Sequence, residues 1–308
     1  MIARVELDRY NDALRQMPAS GGGGCHTALL RVANFGRLAG VNPNQVTQDL
    51  AEYVHGTRKV TGAEIRAAVI KAFDAPVAIT PRPYMHPAVD GAKLLNAIVE
   101  RGAEFDEAEL WEASPVRIDW PPEDDATEVL RRLYVPEDKL FIGARHDAGA
   151  EHVRSLSEWI SRFECGIPIF EHIIPNPLTG EQGQTKDGKP SYRADSCVER
   201  FRFAVIEFDV MPRAQQIQFW AGVPLPVVAL LDSGGKSIHG WVRIDAFNTD
   251  EWARRVEGKL FSLLTAVGAD GACKNEARLS RMPGHFRTEK NNWQRVLYLN
   301  PAGGPVSP

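Results

Sequence analysis

Three apolar runs close together constrain the fold most: "RFAVIEFD" (202–209), "PVVALLD" (226–232) and "IHGWVRI" (238–244). The first and third alternate with a period of two, and the second is continuously apolar and short, so all three read as strands. Between the first two, "PRAQQIQFWAG" opens with Pro212 at a helix start and reads as a crossover helix. Strand, helix, strand, strand in one short span requires a sheet with a helix packed on it, which is an α/β arrangement. The turn before the last strand holds Gly235-Lys236-Ser237, the tail of a phosphate-binding P-loop. That loop also needs a glycine at the position of Leu230 and a helix after the serine. Here Ile238, Gly240, Val242 and Ile244 alternate with His239, Trp241, Arg243 and Asp245, so a strand follows and the P-loop is excluded.

The rest of the chain divides by texture. The first 75 or so residues read as helices forming a small bundle. In "CHTALLRVANFGRLAG" (25–40), Leu29, Val32, Ala33 and Leu38 share a stripe. A second helix starts with Asn42 as cap and Pro43 behind it, and a third opens on a Thr61–Glu64 capping box, with Ile65, Ala68, Val69 and Ala72 on one side. The run Gly21–Gly24 is a flexible turn, with a phosphate cradle as the less favoured alternative. The expected domains are a helical module (1–78), a Pro-rich linker (79–94) and a mixed α/β catalytic domain (95–303). Within the last, "KLFIGA" and "IPIFEHII" (167–174) read as strands, and "SLSEWISRF" (155–163) as a capped helix. Residues 176–195 read as a polar loop, 249–268 as one long amphipathic helix and "WQRVLYLN" (293–300) as the closing strand.

Chemistry concentrates in the strand region. Glu207 and Asp209 lie two apart, so both carboxylates leave the same strand face, opposite Ala204, Ile206 and Phe208. Adjacent like charges repel unless a cation lies between them, and hard Mg²⁺ or Mn²⁺ prefers carboxylate oxygens. Acids meeting solvent at a strand end are the plainer explanation of the pair taken alone. Ser237 and His239 share a face in the same way. Together with a later Asp and a basic stretch, these residues make up an inventory for metal-assisted nucleotidyl transfer. Charge is uneven: residues 91–130 hold eleven acids and three bases, whereas 273–295 hold six Lys/Arg and two acids. A basic segment on a chain of net charge −4 points to a local anionic ligand, or to a solvated face.

The ordered motifs "VIEFD", "DSGGKSIHGW" and "GADGACKNEARLSRMPGHFR" resemble those of the archaeo-eukaryotic primase superfamily, nearest the primase-polymerases of phages, plasmids and integrated elements. The likeness spans residues 135–300 or so, and includes "HIIPNPLTG" and "SYRAD", where His172 and Arg193 lie without an assigned role. It implies an α/β (α+β) catalytic core with an RRM-like sheet and a mixed subdomain around 138–200. The N-terminal helices resemble the small helical module that accompanies such primases. By the resemblance, Glu207, Asp209 and Asp270 hold one or two Mg²⁺ or Mn²⁺ ions. Asp270 is preferred over Asp245, Asp250 and Glu276 for its distance to Arg278 and Arg281. Ser237 and His239 contact the incoming nucleotide, with His239 also counted as catalytic, and Gly234 and Gly235 let the backbone approach its phosphates. Arg281 and Arg287 clamp the triphosphate, and Lys274 and Arg278 do the same or track the template.

The implied activity is template-directed synthesis, and extension, of primers on single-stranded DNA from NTPs or dNTPs, in the replication of a phage or mobile element. No helicase segment follows, so unwinding falls to a separate partner. A catalytically silent nucleic-acid-binding or replication-initiator protein on the same fold is one rival, and an end-joining or repair polymerase is another. Four scattered cysteines without a C-x-x-C pair, and no membrane-length apolar run, place the chain in the cytoplasm.

Overall fold

The computed structural model describes residues 2–21, 25–74 and 90–307, and the chain divides into two compact units, Met1–Met85 and His86–Pro308. The Gly22–Gly24 part of the glycine run and most of the expected linker lie outside the described residues.

The first unit contains α1 (Ile2–Arg15), α2 (Cys25–Leu38), α3 (Pro43–Tyr53) and α4 (Gly62–Asp74). Its core includes Leu29, Val32, Ala33, Val46, Leu50, Ile65 and Val69. Asn42 caps α3 by accepting from the Asn44 N–H at 2.9 Å. The Thr61–Glu64 box is closed in both directions, at 3.1 and 3.3 Å. Leu38 departs from the expected stripe: it ends α2 and is 54% exposed, because no later turn covers it. α1, which the sequence pattern did not single out, adds Tyr10 and Leu14 to this core, and Met17 joins them just past its end.

The second unit begins with α5 (Gly91–Arg101), so residues 91–94 are helical and not linker. Next come α6 (Glu107–Glu112), α7 (Asp125–Leu133), β1 (Lys139–Gly143), β2 (Val153–Ser155) and α8 (Leu156–Glu164). The short strands β3 (His172–Ile173), β4 (Gly183–Gln184) and β5 (Pro190–Ser191) follow. The centre is β6 (Phe201–Ile206), α9 (Arg213–Gly222), β7 (Val227–Asp232) and β8 (Ile238–Ala246). A helix then runs through α10 (Thr249–Trp252), a π-helical stretch (Ala253–Leu260) and α11 (Phe261–Leu264). The chain closes with β9 (Ser280–Arg281), β10 (Phe286–Arg287), β11 (Asn292–Trp293) and β12 (Val296–Gly304).

The main sheet is antiparallel in the order β12-β7-β8-β6. Helices packed with antiparallel sheets bear out the expected mixed α/β class, while the order places the first strand, β6, at the edge of this sheet. One face packs on α5, α9 and α10–α11 through Ile206, Phe208, Phe219, Trp220, Val242 and Trp252. Gly240 permits this contact, since a Cβ there would lie 2.1 Å from the Trp220 ring. The other face, with Phe203, Val205 and Trp241, packs on a second antiparallel sheet, β2-β1-β3-β9, and on α7 and α8. Glu207 and His239, singled out in the sequence, lie where the two sheets meet.

Three boundaries differ from expectation. Only His172–Ile173 of 167–174 pairs as a strand, since Pro168 and Pro175 on either side lack an N–H for a ladder. β6 stops at Ile206 because the Glu207 carbonyl accepts instead from the Asp270 N–H, at 3.0 Å. The closing strand begins at Val296, because Asn292–Trp293 pairs with Phe286–Arg287 in a separate hairpin. Among the described residues, no helix is long and apolar enough to cross a membrane.

Candidate active site

Alternation along β6 sends Phe203 and Val205 toward the second sheet, and Glu207 follows on that side just past the strand end. On β8, Val205 faces Trp241 and Ile206 faces Gly240, so the next residue, His239, arrives beside Glu207. The His239 Nε2 lies 2.9 Å from the Glu207 Oε2. On the other ring edge, Nδ1 is 3.3 Å from the Ser280 hydroxyl, which itself accepts from the Trp241 indole N–H at 2.7 Å. With Trp241 donating, the Ser280 O–H is free to donate to Nδ1. That assigns the proton to Nε2, aimed at the carboxylate.

The second carboxylate comes from a tight turn. Asp270 caps a 3₁₀ turn, Gly271–Lys274, and its Oδ1 accepts from the Ala272 N–H at 2.9 Å. Three residues per 3₁₀ turn place residue 273 over residue 270. The Cys273 thiol is accordingly 3.2 Å from the Glu207 Oε1 and 3.5 Å from the Asp270 Oδ2. The Arg278 guanidinium bridges the same two oxygens, bonding Glu207 and lying 3.1 Å from Asp270. Buried Asn176 ties the supports together. Its amide N–H₂ donates to the carbonyls of Phe203 and Glu276 at 3.1 and 2.8 Å, and its oxygen accepts from the Arg202 and Phe203 N–H groups, both at 2.8 Å. β6 and the segment leading to Arg278 are thereby held in one register.

Burial alone would push the Glu207 carboxyl up. The hydrogen bond and charge of His239, then those of Arg278, outweigh it and hold the group well below the usual carboxylate range. Burial and then the negative charge of Glu207 push the Cys273 thiol far up, so it stays a donor here. On β3, burial followed by the Arg281 charge lowers His172 to about 4, so it is neutral near pH 7. His172 pairs in register with Arg281 on β9.

Glu207, His239, Asp270, Arg278, His172 and Arg281 line one cavity of about 750 Å³, and Cys273 lies off its lining. Its walls carry Arg145, Arg193, Arg278, Arg281 and Arg287 around Glu171, Glu207, Asp209 and Asp270. Arg193 is fixed by backbone carbonyls, bonding that of Asp147 and donating to that of Arg145 at 2.8 Å. Arg287 donates to the Ser233 carbonyl at 3.1 Å.

Of the residues singled out in the sequence, Glu207, Asp209, His239, Asp270, Arg278, Arg281 and Arg287 share this cavity. Asp209 lines it but is exposed, outside the Glu207–Asp270–Cys273 cluster. Ser237 is not on the lining: its hydroxyl is 3.3 Å from the Ser233 hydroxyl, and its carbonyl accepts from the Ser233 N–H at 3.0 Å, closing the turn. Gly234 and Gly235 lie beneath Arg287. Gly234 has φ +66°, and a Cβ there would be 2.9 Å from the Arg287 Cδ. Lys274 is off the lining, 3.9 Å from Glu257. Arg278, expected to meet the triphosphate or the template, bridges the two carboxylates in this structure. Sequence reasoning missed Cys273 and Arg145. The i, i+3 step from Asp270 was the available signal for Cys273; nothing local marked Arg145.

No protein-family model matches this chain, and no curated protein does. Among solved structures, the chain is similar to the AEP domain of the cyanophage S-2L primase-polymerase. That similarity has a TM-score of 0.39 and 18% identity over 59% of this chain and 93% of that one. A likeness of this degree does not bear on function, which the site itself must support.

Proposed function

We propose that this protein is a template-directed nucleotidyltransferase of primase-polymerase type. The carrying observation is the cavity: two converging carboxylates and His239 at one end, five arginines around the walls. That charge pattern suits a nucleoside triphosphate, whose phosphates match guanidinium forks. The ordered sequence motifs agree with it, and they alone suggest a phage or mobile-element setting, a single-stranded DNA template and a separate helicase.

The donor set fits a divalent cation. Oxygens of Glu207 and Asp270 converge, and a guanidinium already lies between them. Glu207 and Asp270 would hold Mg²⁺ or Mn²⁺, with Asp209 at the rim as a further carboxylate. Bound there, the metal would supply charge neutralisation at the α-phosphate and activation of the primer 3′-hydroxyl. His239 orients Glu207 through Nε2 and is itself oriented by Ser280. Arg281 and Arg287 draw the β- and γ-phosphates toward the cavity, and Arg145 and Arg193 extend the same positive wall.

The test is incubation with unprimed and primed single-stranded DNA, labelled nucleotides and Mn²⁺ or Mg²⁺. Incorporation by the wild type that is abolished in Glu207→Gln and Asp270→Asn supports the reading. DNA binding without incorporation under any metal would favour the silent initiator instead.

A further inference from the structure

His172 lines the cavity but has no part in that scheme. The residue is 8% exposed and lies on β3, directly opposite Arg281 of β9. Side chains of such a pair share one face of the sheet, so the ring stands beside a guanidinium assigned to the phosphates. Its Nδ1 is enclosed, 3.2 Å from the Glu171 Oε1 but off the line of a hydrogen bond. The ring is neutral near pH 7, because burial and then the Arg281 charge disfavour a second proton. A neutral ring has one N–H and one lone pair. The N–H is attracted to the Glu171 carboxylate and a lone pair is repelled by it, which assigns the proton to Nδ1. Nε2 is then a bare acceptor, and among the described residues no group donates to it.

An acceptor here does not suit phosphate, whose oxygens also accept and which five arginines already serve. It does not suit a metal ion either, since the Arg281 and Arg145 charges that oppose a proton on the ring oppose a dication in the same way. What remains is a neutral donor, and a nucleotide carries these on its base edge and its sugar. The bases differ in their donors and acceptors, so a fixed base contact would bias a template-directed enzyme. The sugar hydroxyls are the same for all four. His172 also feels the charge of His239, the partner of Glu207, which places it toward the end of the cavity assigned to the α-phosphate, to which the sugar is joined. Resting on the nucleotidyltransferase reading, we propose that the His172 Nε2 accepts a hydrogen bond from a sugar hydroxyl of the incoming nucleotide and so sets which sugar the enzyme uses. If the 2′-hydroxyl donates, NTPs are favoured over dNTPs. If the 3′-hydroxyl donates, those two are used alike and dideoxynucleotides are disfavoured.

The experiment is single-nucleotide extension of a primed template with the NTP, dNTP and ddNTP of one base, giving kcat/KM for each. In the wild type, removing the donating hydroxyl should cost roughly three- to tenfold, the worth of one neutral hydrogen bond. The step falls between NTP and dNTP for the 2′-hydroxyl, and between dNTP and ddNTP for the 3′-hydroxyl. His172→Leu has no acceptor and should shrink that step below twofold, with His172→Phe as a second such variant and thermal melts checking the fold of each. His172→Gln carries a carbonyl that accepts, and should retain part of the step. A wild type with neither step above twofold overturns the proposal, as does a step that survives unchanged in the folded Leu or Phe variant. A loss in those variants that is equal for all three nucleotides assigns His172 a structural role and overturns it too. Calorimetric affinities for the same nucleotides, measured without template, separate the two levels. Incorporation without a sugar step leaves the function standing and removes this proposal. An affinity step that depends on His172, without incorporation of any nucleotide, leaves the contact standing and removes the function.

Discussion

Replacing His239 with Ala and Lys236 with Ala tests how the turn after β7 works. The His239 ring is buried and held from both edges, by Glu207 at 2.9 Å and Ser280 at 3.3 Å. Truncation removes a hydrogen bond to a charged carboxylate, a loss of about 1.5–3 kcal/mol. If Glu207 must be oriented in the transition state, that is roughly ten- to 150-fold in kcat/KM. The Lys236 side chain is exposed, and only its backbone carbonyl is engaged, by the Gln216 amide at 3.3 Å. Lys236→Ala therefore changes kcat/KM less than about threefold, since surface substitutions stay near 0.5 kcal/mol. The assay is steady-state extension of a primed template at varied dNTP, with thermal melts to confirm that both variants fold. A severe Lys236 defect beside a mild His239 defect would refute the reasoning, because it would mean the turn binds phosphate as a P-loop does.

Three further outcomes are expected. Gly234→Ala forces a side chain onto a left-handed residue and toward Arg287; it should lower stability by about 1–2 kcal/mol and raise the nucleotide KM, read by melts and kinetics. His172 is buried in its neutral form, with a pKa of about 4 against 6.5 unfolded, so the unfolded chain takes up the proton first and stability falls as pH drops from 6.5 toward 4. Between pH 7 and 5 the loss is about 2 kcal/mol (roughly 1.5 units at 1.36 kcal/mol each), and urea melts of His172→Gln should lack that slope; an identical slope in the variant refutes the assignment. Residues 86–308, the second compact unit, should retain extension of a ready-made primer and lose part of initiation, measured on primed and unprimed template; equal loss of both would place the helices in the catalytic core.

The sequence alone determined what is periodic or local. Alternation assigned Val205 and Glu207 to one face of β6 and Ile206 and Phe208 to the other, as their two cores bear out. Cap chemistry placed the starts of α3, α4 and α8, because a cap is satisfied within three residues. Tertiary structure decided everything that depends on distance between segments remote in the chain. β6 ends at Ile206 because the Glu207 carbonyl is claimed by Asp270, and no strand pattern encodes that bond. Ser237 shares a face with His239 by count, but the turn closes on Ser233 and takes its hydroxyl off the cavity lining. Spacing paired Glu207 with Asp209, whereas the 3₁₀ turn after Asp270 brings Cys273 to the Glu207 and Asp270 carboxylates and leaves Asp209 at the exposed rim. The second sheet, with His172 opposite Arg281, was the least legible part. Strands of two residues are too short to carry a period, and pairing with segments remote in the chain defines them.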